Sequence, residues 1–177
     1  WKDHWHDMPV HYYTFEKYYK DVYEVFGKTP QMIDFFSTKL KTPYPWDKYH
    51  QIVLYDYTAG AMENTSASVF YEPMYATHGD LIDRNFEGII AHELSHQWFG
   101  DLVTCESWAN LTLNESFADY AEYLWFEYSK GADDANLIHY EAWKGYLHEA
   151  KYKKIEPIVN YYYSDRWDLF DNHRYEK

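Results

Sequence analysis

Apolar and aromatic residues recur along this chain with two different periods, which separate predicted helices from predicted strands. Helical spacing is present at about 15–26, 29–40, 83–100, 113–130 and 133–153. Two short runs rich in β-branched and aromatic residues, 51–57 and 66–71, are typical of strands. After residue 157 neither period continues. The pattern predicts an α+β protein in which a small sheet packs against helices.

Residues with strong backbone preferences mark several helix ends. Thr29 followed by Pro30 is typical of an N-cap and the first helical position. Gly131 is predicted to close the fourth helix, and Asp133 or Asp134 to cap the fifth. No repeat or linker divides the chain, so we expect residues 1–177 to form one domain.

Composition and charge exclude several classes of partner. The formal net charge is −13, which repels phosphate backbones and anionic membrane surfaces, and no apolar run is long enough to span a bilayer. The 22% aromatic content favours core packing over a sugar-binding platform. With one cysteine, Cys105, no internal disulfide can form and the compartment stays open. Because the first residue is Trp1, we expect a piece of a longer polypeptide.

The motif His-Glu-x-x-His at residues 92–96 indicates metal chemistry. On a helix, His92 and His96 lie one above the other, so both imidazoles can bind one zinc ion, while Glu93 points sideways toward a water on that ion. Glu115, after eighteen intervening residues, has the offset of a third ligand. Three protein ligands leave one position to water, whose pKa zinc lowers to about 7. Three histidines near the start, His4, His6 and His11, offer a second candidate site, although such clusters at a terminus are usually solvated.

An acidic stripe begins at Glu115. Asp119 and Glu122 follow one and two turns later on the same helical face, a pattern most often seen on solvated surfaces. Here Asp119 could accept a hydrogen bond from the outer nitrogen of a ligating histidine. We treat that role of Asp119 as a hypothesis.

The segment 58–64 between the two predicted strands contains Gly60 and Glu63. Gly60 lacks a side chain where another backbone could approach, and Glu63 could bind a cation or a substrate amine. Taken alone, these residues indicate only an ordinary hairpin loop.

Three motifs together resemble the catalytic domain of the zinc aminopeptidases typified by aminopeptidase N and the leukotriene hydrolase. They are Gly-Ala-Met-Glu-Asn at 60–64, HELSHQWFGDLVT at 92–104 and Asn-Glu-Ser-Phe-Ala at 114–118. The resemblance covers nearly the whole chain. It implies a thermolysin-like fold with a small mixed sheet, one Zn²⁺ per chain, and peptide substrates with a free N-terminus.

The resemblance also implies roles for individual residues. His92, His96 and Glu115 match the zinc ligands, and Glu93 matches the general base. Glu63 matches the carboxylate that receives the substrate α-amine, Tyr175 the tyrosine that stabilises the tetrahedral intermediate, and Gly60 and Ala61 the backbone beside the substrate.

The chain departs from the family pattern in three respects. Ser116 stands where the family usually has Gly, and Thr112 where it usually has Trp. The family's flanking domains, with an additional amine-binding residue, are absent from this sequence. A thermolysin-type endopeptidase and a zinc-binding module that is inactive without its flanking domains are therefore the alternatives.

Overall fold

The computed structural model describes residues 1–153 and 155–174. Five strands and five α-helices make up the fold, with short 3₁₀ helices between them. The strands are β1 (Lys2–Trp5), β2 (Met8–Tyr13), β3 (Tyr49–Val53), β4 (Ala61–Met62) and β5 (Ala67–Phe70). The helices are α1 (Val22–Phe26), α2 (Thr29–Lys39), α3 (Glu87–Ser95), α4 (Glu115–Ser129) and α5 (Ala132–Tyr152).

The strands form one mixed sheet in the order β1-β2-β3-β5-β4. The three central strands run parallel, while β1 and β4 pair antiparallel at the two edges. Side chains alternate between the two faces, so one face of β3 is buried through Tyr49, Gln51 and Val53. The short edge strand β4 leads directly into Glu63, so this edge of the sheet carries the Glu63 loop.

Helices α2, α3 and α4 share a hydrophobic core with the buried face of the sheet. Phe26 packs against Phe70 of β5 with ring centroids 5.4 Å apart, and Phe36 of α2 lies 6.2 Å from Trp98. Trp125 of α4 is fully buried and donates through Nε1 to Glu87 of α3 at 2.8 Å. The predicted α+β class, with a small sheet against helices, is confirmed.

Several predicted boundaries are wrong. Residues 1–13 form the β1–β2 hairpin, which the histidine-rich sequence did not indicate, and the first helix is only Val22–Phe26. The first predicted strand ends at Val53, because Asp56 adopts a left-handed backbone (φ +52°) in the turn that follows. The cap of α5 is Gly131, whose φ of +100° suits glycine, so Asp133 and Asp134 lie in the first turn instead.

Two features are absent from the described residues. None of their helices is long and apolar enough to cross a bilayer. Within those residues, no group of three metal-binding side chains contains His4, His6 or His11. His11 instead stacks on His50 of the neighbouring strand with ring centroids 5.1 Å apart, so the structure gives the candidate second site no support.

Candidate active site

Helix α3 ends inside the predicted metal motif. Ser95 is its last residue and His96 is its C-cap, whose φ of −56° and ψ of −23° continue the helical backbone. The four-residue relation between His92 and His96 is therefore kept, and their ring centroids lie 4.8 Å apart. Both imidazoles face the start of α4.

Glu115, the first residue of α4, completes a group of three donor atoms. Its Oε2 lies 3.4 Å from Nε2 of His92 and 3.4 Å from Nε2 of His96. The ligand atoms of the three residues all lie within 4.8 Å of one another. Two imidazole nitrogens and one carboxylate oxygen, converging in this way, fit the donor set that zinc takes in catalytic sites.

The outer nitrogens of both histidines already have partners. Nδ1 of His96 lies 2.9 Å from the carbonyl oxygen of Phe99. Nδ1 of His92 lies 3.0 Å from Asp119 Oδ1 and 3.0 Å from Glu122 Oε1. A proton held on each Nδ1 leaves each Nε2 lone pair free for a metal, so the tautomers fit the site as well.

Glu93 stands beside the three donors. It is buried, and its Oε2 has no hydrogen-bond partner among the described residues. Burial raises the pKa of Glu93 to about 7, and the neighbouring histidines oppose that rise. A buried carboxylate oxygen without a hydrogen bond is costly for a folded protein, which makes Glu93 a candidate functional group.

Glu63 approaches the same centre from the edge of the sheet. One ligand atom each from Glu63, Glu93 and His96 lie within 4.8 Å of one another. Gly60 and Ala61 come just before it: the Gly60 carbonyl accepts from the Tyr71 N–H at 3.0 Å, and β4 begins at Ala61. The structure thus brings the predicted loop and the predicted metal helix together.

Comparison with known proteins identifies the family. A family described as the Peptidase family M1 domain matches residues 24–177. The chain belongs to peptidase family M1.

Relatives in family M1 come from animals and bacteria. The chain is 45% identical over 108 residues to aminopeptidase N of Canis lupus familiaris, a match that covers 58% of this chain and 11% of that protein. It is 45% identical over 105 residues to aminopeptidase N of Streptomyces lividans, covering 58% of this chain and 12% of that protein. The chain therefore spans only about a tenth of the length of these relatives.

A solved M1 structure shares the fold. It is the E323A mutant of an M1 zinc metallopeptidase from Deinococcus radiodurans, bound to a Tyr-Ser-Ala substrate. The two structures superpose with a TM-score of 0.65 and 24% sequence identity, covering 99% of this chain and 36% of the other. The fold implied by the sequence resemblance is thereby confirmed.

Acidic side chains set the charge at this M1 centre. Burial works against the ionisation of Glu115, but its close contacts with His92 and His96 hold its pKa down at about 2. Burial lowers the pKa of His92, but contacts with acidic neighbours outweigh it and raise that pKa well above the ordinary value. The surroundings therefore favour positive charge, which suits a divalent cation.

Two features of the M1 centre were missed by sequence reasoning. Glu122 was assigned only to the acidic stripe, yet it lies as close to His92 Nδ1 as Asp119 does. Its position two turns after Glu115 was the available signal. The Phe99 carbonyl, which faces His96, has no signal in the side-chain pattern because it is a backbone group.

The predicted oxyanion residue, Tyr175, lies outside the described residues. Arg174, the residue before it, is buried, and its backbone carbonyl accepts from Ser116 Oγ in the first turn of α4. Ser116 therefore has a specific partner at the position where the family usually has glycine. The role of Tyr175 stays a prediction.

Proposed function

We propose that this chain forms the catalytic unit of a zinc-dependent aminopeptidase, which hydrolyses the first peptide bond of a peptide with a free N-terminus. One observation carries the proposal. One ligand atom each of Glu63, Glu93 and His96 lie within 4.8 Å of one another, while Glu63 is not part of the candidate metal group His92, His96 and Glu115. The names of the relatives, aminopeptidase N, support the same activity.

His92, His96 and Glu115 would hold one zinc ion. A zinc ion held there would supply Lewis acidity, which polarises a carbonyl and lowers the pKa of bound water to about 7. Asp119 and Glu122 orient the His92 ring from behind and make its Nε2 a better donor. The His92 ring is thereby oriented before substrate arrives.

Glu93 moves the proton. It accepts a proton from the attacking water as the water oxygen bonds to the carbonyl carbon. It passes that proton to the amine nitrogen as the C–N bond breaks, and so returns to its carboxylate form. Its buried Oε2 has no hydrogen-bond partner among the described residues, which leaves that oxygen available for both transfers.

Glu63 selects the end of the peptide. Its carboxylate pairs with the α-ammonium of the first residue, which places the first peptide bond beside Glu93. The backbone of Gly60 and Ala61 lies along the substrate, and the Tyr175 hydroxyl stabilises the oxyanion. We also propose that residues 1–177 form one catalytic domain. The presence of flanking domains in a longer protein stays a prediction.

The test compares a free and a blocked substrate in the variant Glu63→Ala. Zinc content is measured by metal analysis, and kcat/KM is measured for alanyl p-nitroanilide and for its N-acetyl derivative. We expect zinc to stay bound and the preference for the free amine to fall by about 10- to 100-fold, because one buried ion pair with the substrate is lost. Glu72→Ala, which removes a carboxylate bonded instead to the Asp56 N–H, is the matched control.

Three outcomes contradict the proposal. An unchanged preference in Glu63→Ala removes Glu63 as the amine-binding group. Efficient cleavage of N-blocked peptides by the unmodified chain favours an endopeptidase of the thermolysin type. Bound zinc without hydrolysis of either substrate indicates an inactive metal-binding module.

A further inference from the structure

Residue 97 directly follows the metal-ligand candidate His96, and its side chain bonds to the loop that carries Glu63. Gln97 is completely buried. Its Nε2 donates to the carbonyl oxygen of Glu63 at 2.9 Å, and its Oε1 accepts from the N–H of Ser66 at 2.6 Å. One side-chain amide therefore bridges both ends of the turn that presents Glu63.

The turn itself needs such support. Ser66 has a left-handed backbone (φ +61°), which costs free energy for a residue other than glycine. Inside the turn, the Ala67 N–H donates to the Asn64 carbonyl at 2.7 Å. The Gln97 amide is held in turn, because Tyr44 Oη lies 3.5 Å from its Oε1 and the Trp46 indole donates to its backbone carbonyl at 3.3 Å.

The orientation of the Gln97 amide follows from its partners. A backbone carbonyl on one side requires a donor, and a backbone N–H on the other side requires an acceptor, so only one of the two amide orientations satisfies both. The bridge thus joins the end of the metal helix to the loop across a buried interface. Its length sets how far the backbone of Glu63 stands from His96.

We propose that Gln97 is a positioning residue that fixes the Glu63 carboxylate relative to the centre formed by His92, His96 and Glu115. This inference rests on the proposed function. The preference for a free α-amine then depends on Gln97, although Gln97 does not contact the substrate. Displacing a binding group by about 1 Å can cost 10²-fold in rate. Loss of the bridge should therefore lower the selectivity for a free α-amine.

The test replaces Gln97 with methionine, which has nearly the same shape and can form neither hydrogen bond. Zinc content and kcat and KM are measured for alanyl p-nitroanilide and its N-acetyl derivative. We expect zinc to stay bound, KM for the free amine to rise by about 10- to 100-fold, and kcat to change less. Gln51→Met is the matched control, because Gln51 is equally buried but bonds to Thr29, away from the loop.

A double-mutant cycle separates positioning from general stability. If Gln97 acts through Glu63, Gln97→Met has no further effect on the preference once Glu63→Ala has been made. Hydrogen exchange gives a readout without turnover: the Ser66 amide should exchange faster in Gln97→Met, while the Leu94 amide in α3 stays protected. Gln97→Asn, too short to reach both partners, repeats the test should the methionine variant fail to fold.

The outcomes distinguish this inference from the proposed function. A preference that is lost in Glu63→Ala but kept in well-folded Gln97→Met overturns the role of Gln97 alone. Equal losses of preference in Gln97→Met and Gln51→Met also overturn it, since they show a general effect of a cavity or buried polar loss. If the unmodified chain hydrolyses neither substrate, the proposed function fails, and calorimetric binding of alanine hydroxamate against its N-acetyl derivative still tests Gln97.

Discussion

Helices α3 and α5 differ in how much of their surface the rest of the protein covers. Five of the nine residues of α3 are buried, among them Leu94 and the acidic Glu93. Only two of the 21 residues of α5 are buried, Ala135 and Glu149. Large apolar side chains of α5, including Trp143 at 52% and Leu147 at 42%, remain exposed.

This difference in burial separates the helix that carries candidate catalytic groups from the helix that does not. Both helices have apolar residues at helical spacing, so periodicity alone does not distinguish them. The sheet and α4 enclose α3, and an enclosed carboxylate such as Glu93 keeps few water contacts and takes its charge state from its neighbours. An exposed carboxylate of α5, such as Glu141, is surrounded mainly by solvent instead. The predictions below test this comparison, starting with the largest effect.

Removing the charge of Glu93 should nearly abolish hydrolysis. In Glu93→Gln we expect kcat to fall by about 10²- to 10⁴-fold, because the amide cannot accept a proton from water. Zinc content by metal analysis should not change, since Glu93 is not among the three donors. Glu141→Gln removes an exposed carboxylate of α5 and should leave turnover as it is. Substantial turnover in Glu93→Gln rules out Glu93 as the base.

Truncating the same apolar side chain in the two helices should have unequal effects on stability. Leu94→Ala leaves a cavity in a fully buried site and should lower the free energy of unfolding by about 2–5 kcal/mol. Leu147→Ala, on the open face of α5, should change it by less than about 0.5 kcal/mol. Urea unfolding followed by circular dichroism measures both. Similar losses in the two variants contradict the comparison.

The carboxylates behind His92 should tune metal binding. Asp119→Asn and Glu122→Gln should each weaken zinc binding by about 10- to 100-fold, because His92 loses an acceptor that orients its ring. Competition with a chromogenic chelator measures the affinity. Glu127→Gln, on the exposed side of α4, is the control. Zinc affinity unchanged in Asp119→Asn removes the orienting role of Asp119.

Glu87, the first residue of α3, should make a smaller and pH-dependent contribution to the free energy of unfolding. Burial opposes the ionisation of Glu87, but Lys28, the Trp125 indole and Lys130 together hold its pKa below the ordinary 4.5. Because the folded pKa is lowered, this stabilisation is present above about pH 4.5 and is lost as the pH falls through the folded value. Between pH 7 and pH 3, Glu87→Gln should therefore lose about 1 kcal/mol less stability than the unmodified chain. Parallel losses with pH in the two proteins exclude this contribution.

Sequence reasoning predicted the parts of the fold that depend on local geometry. The helices near the metal motif, the strand before the Glu63 loop and the α+β class all follow from apolar periodicity over a few turns. The β1–β2 hairpin was missed, because its strands are short and pair with each other and with β3 across a distant part of the chain. The first predicted strand ends four residues early, at Val53, because the turn at Asp56 overrode the apolar pattern.

The amino-acid sequence alone determined that His92 and His96 share one helical face, because their spacing and the helix geometry leave no other arrangement. It also placed Asp119 and Glu122 on the face of Glu115. Only the tertiary structure decided that these faces meet, and that Glu63 reaches the same centre. The Gln97 bridge to Glu63 spans 34 positions along the chain. Such contacts depend on how the sheet packs against α3, and packing is a property of the whole fold.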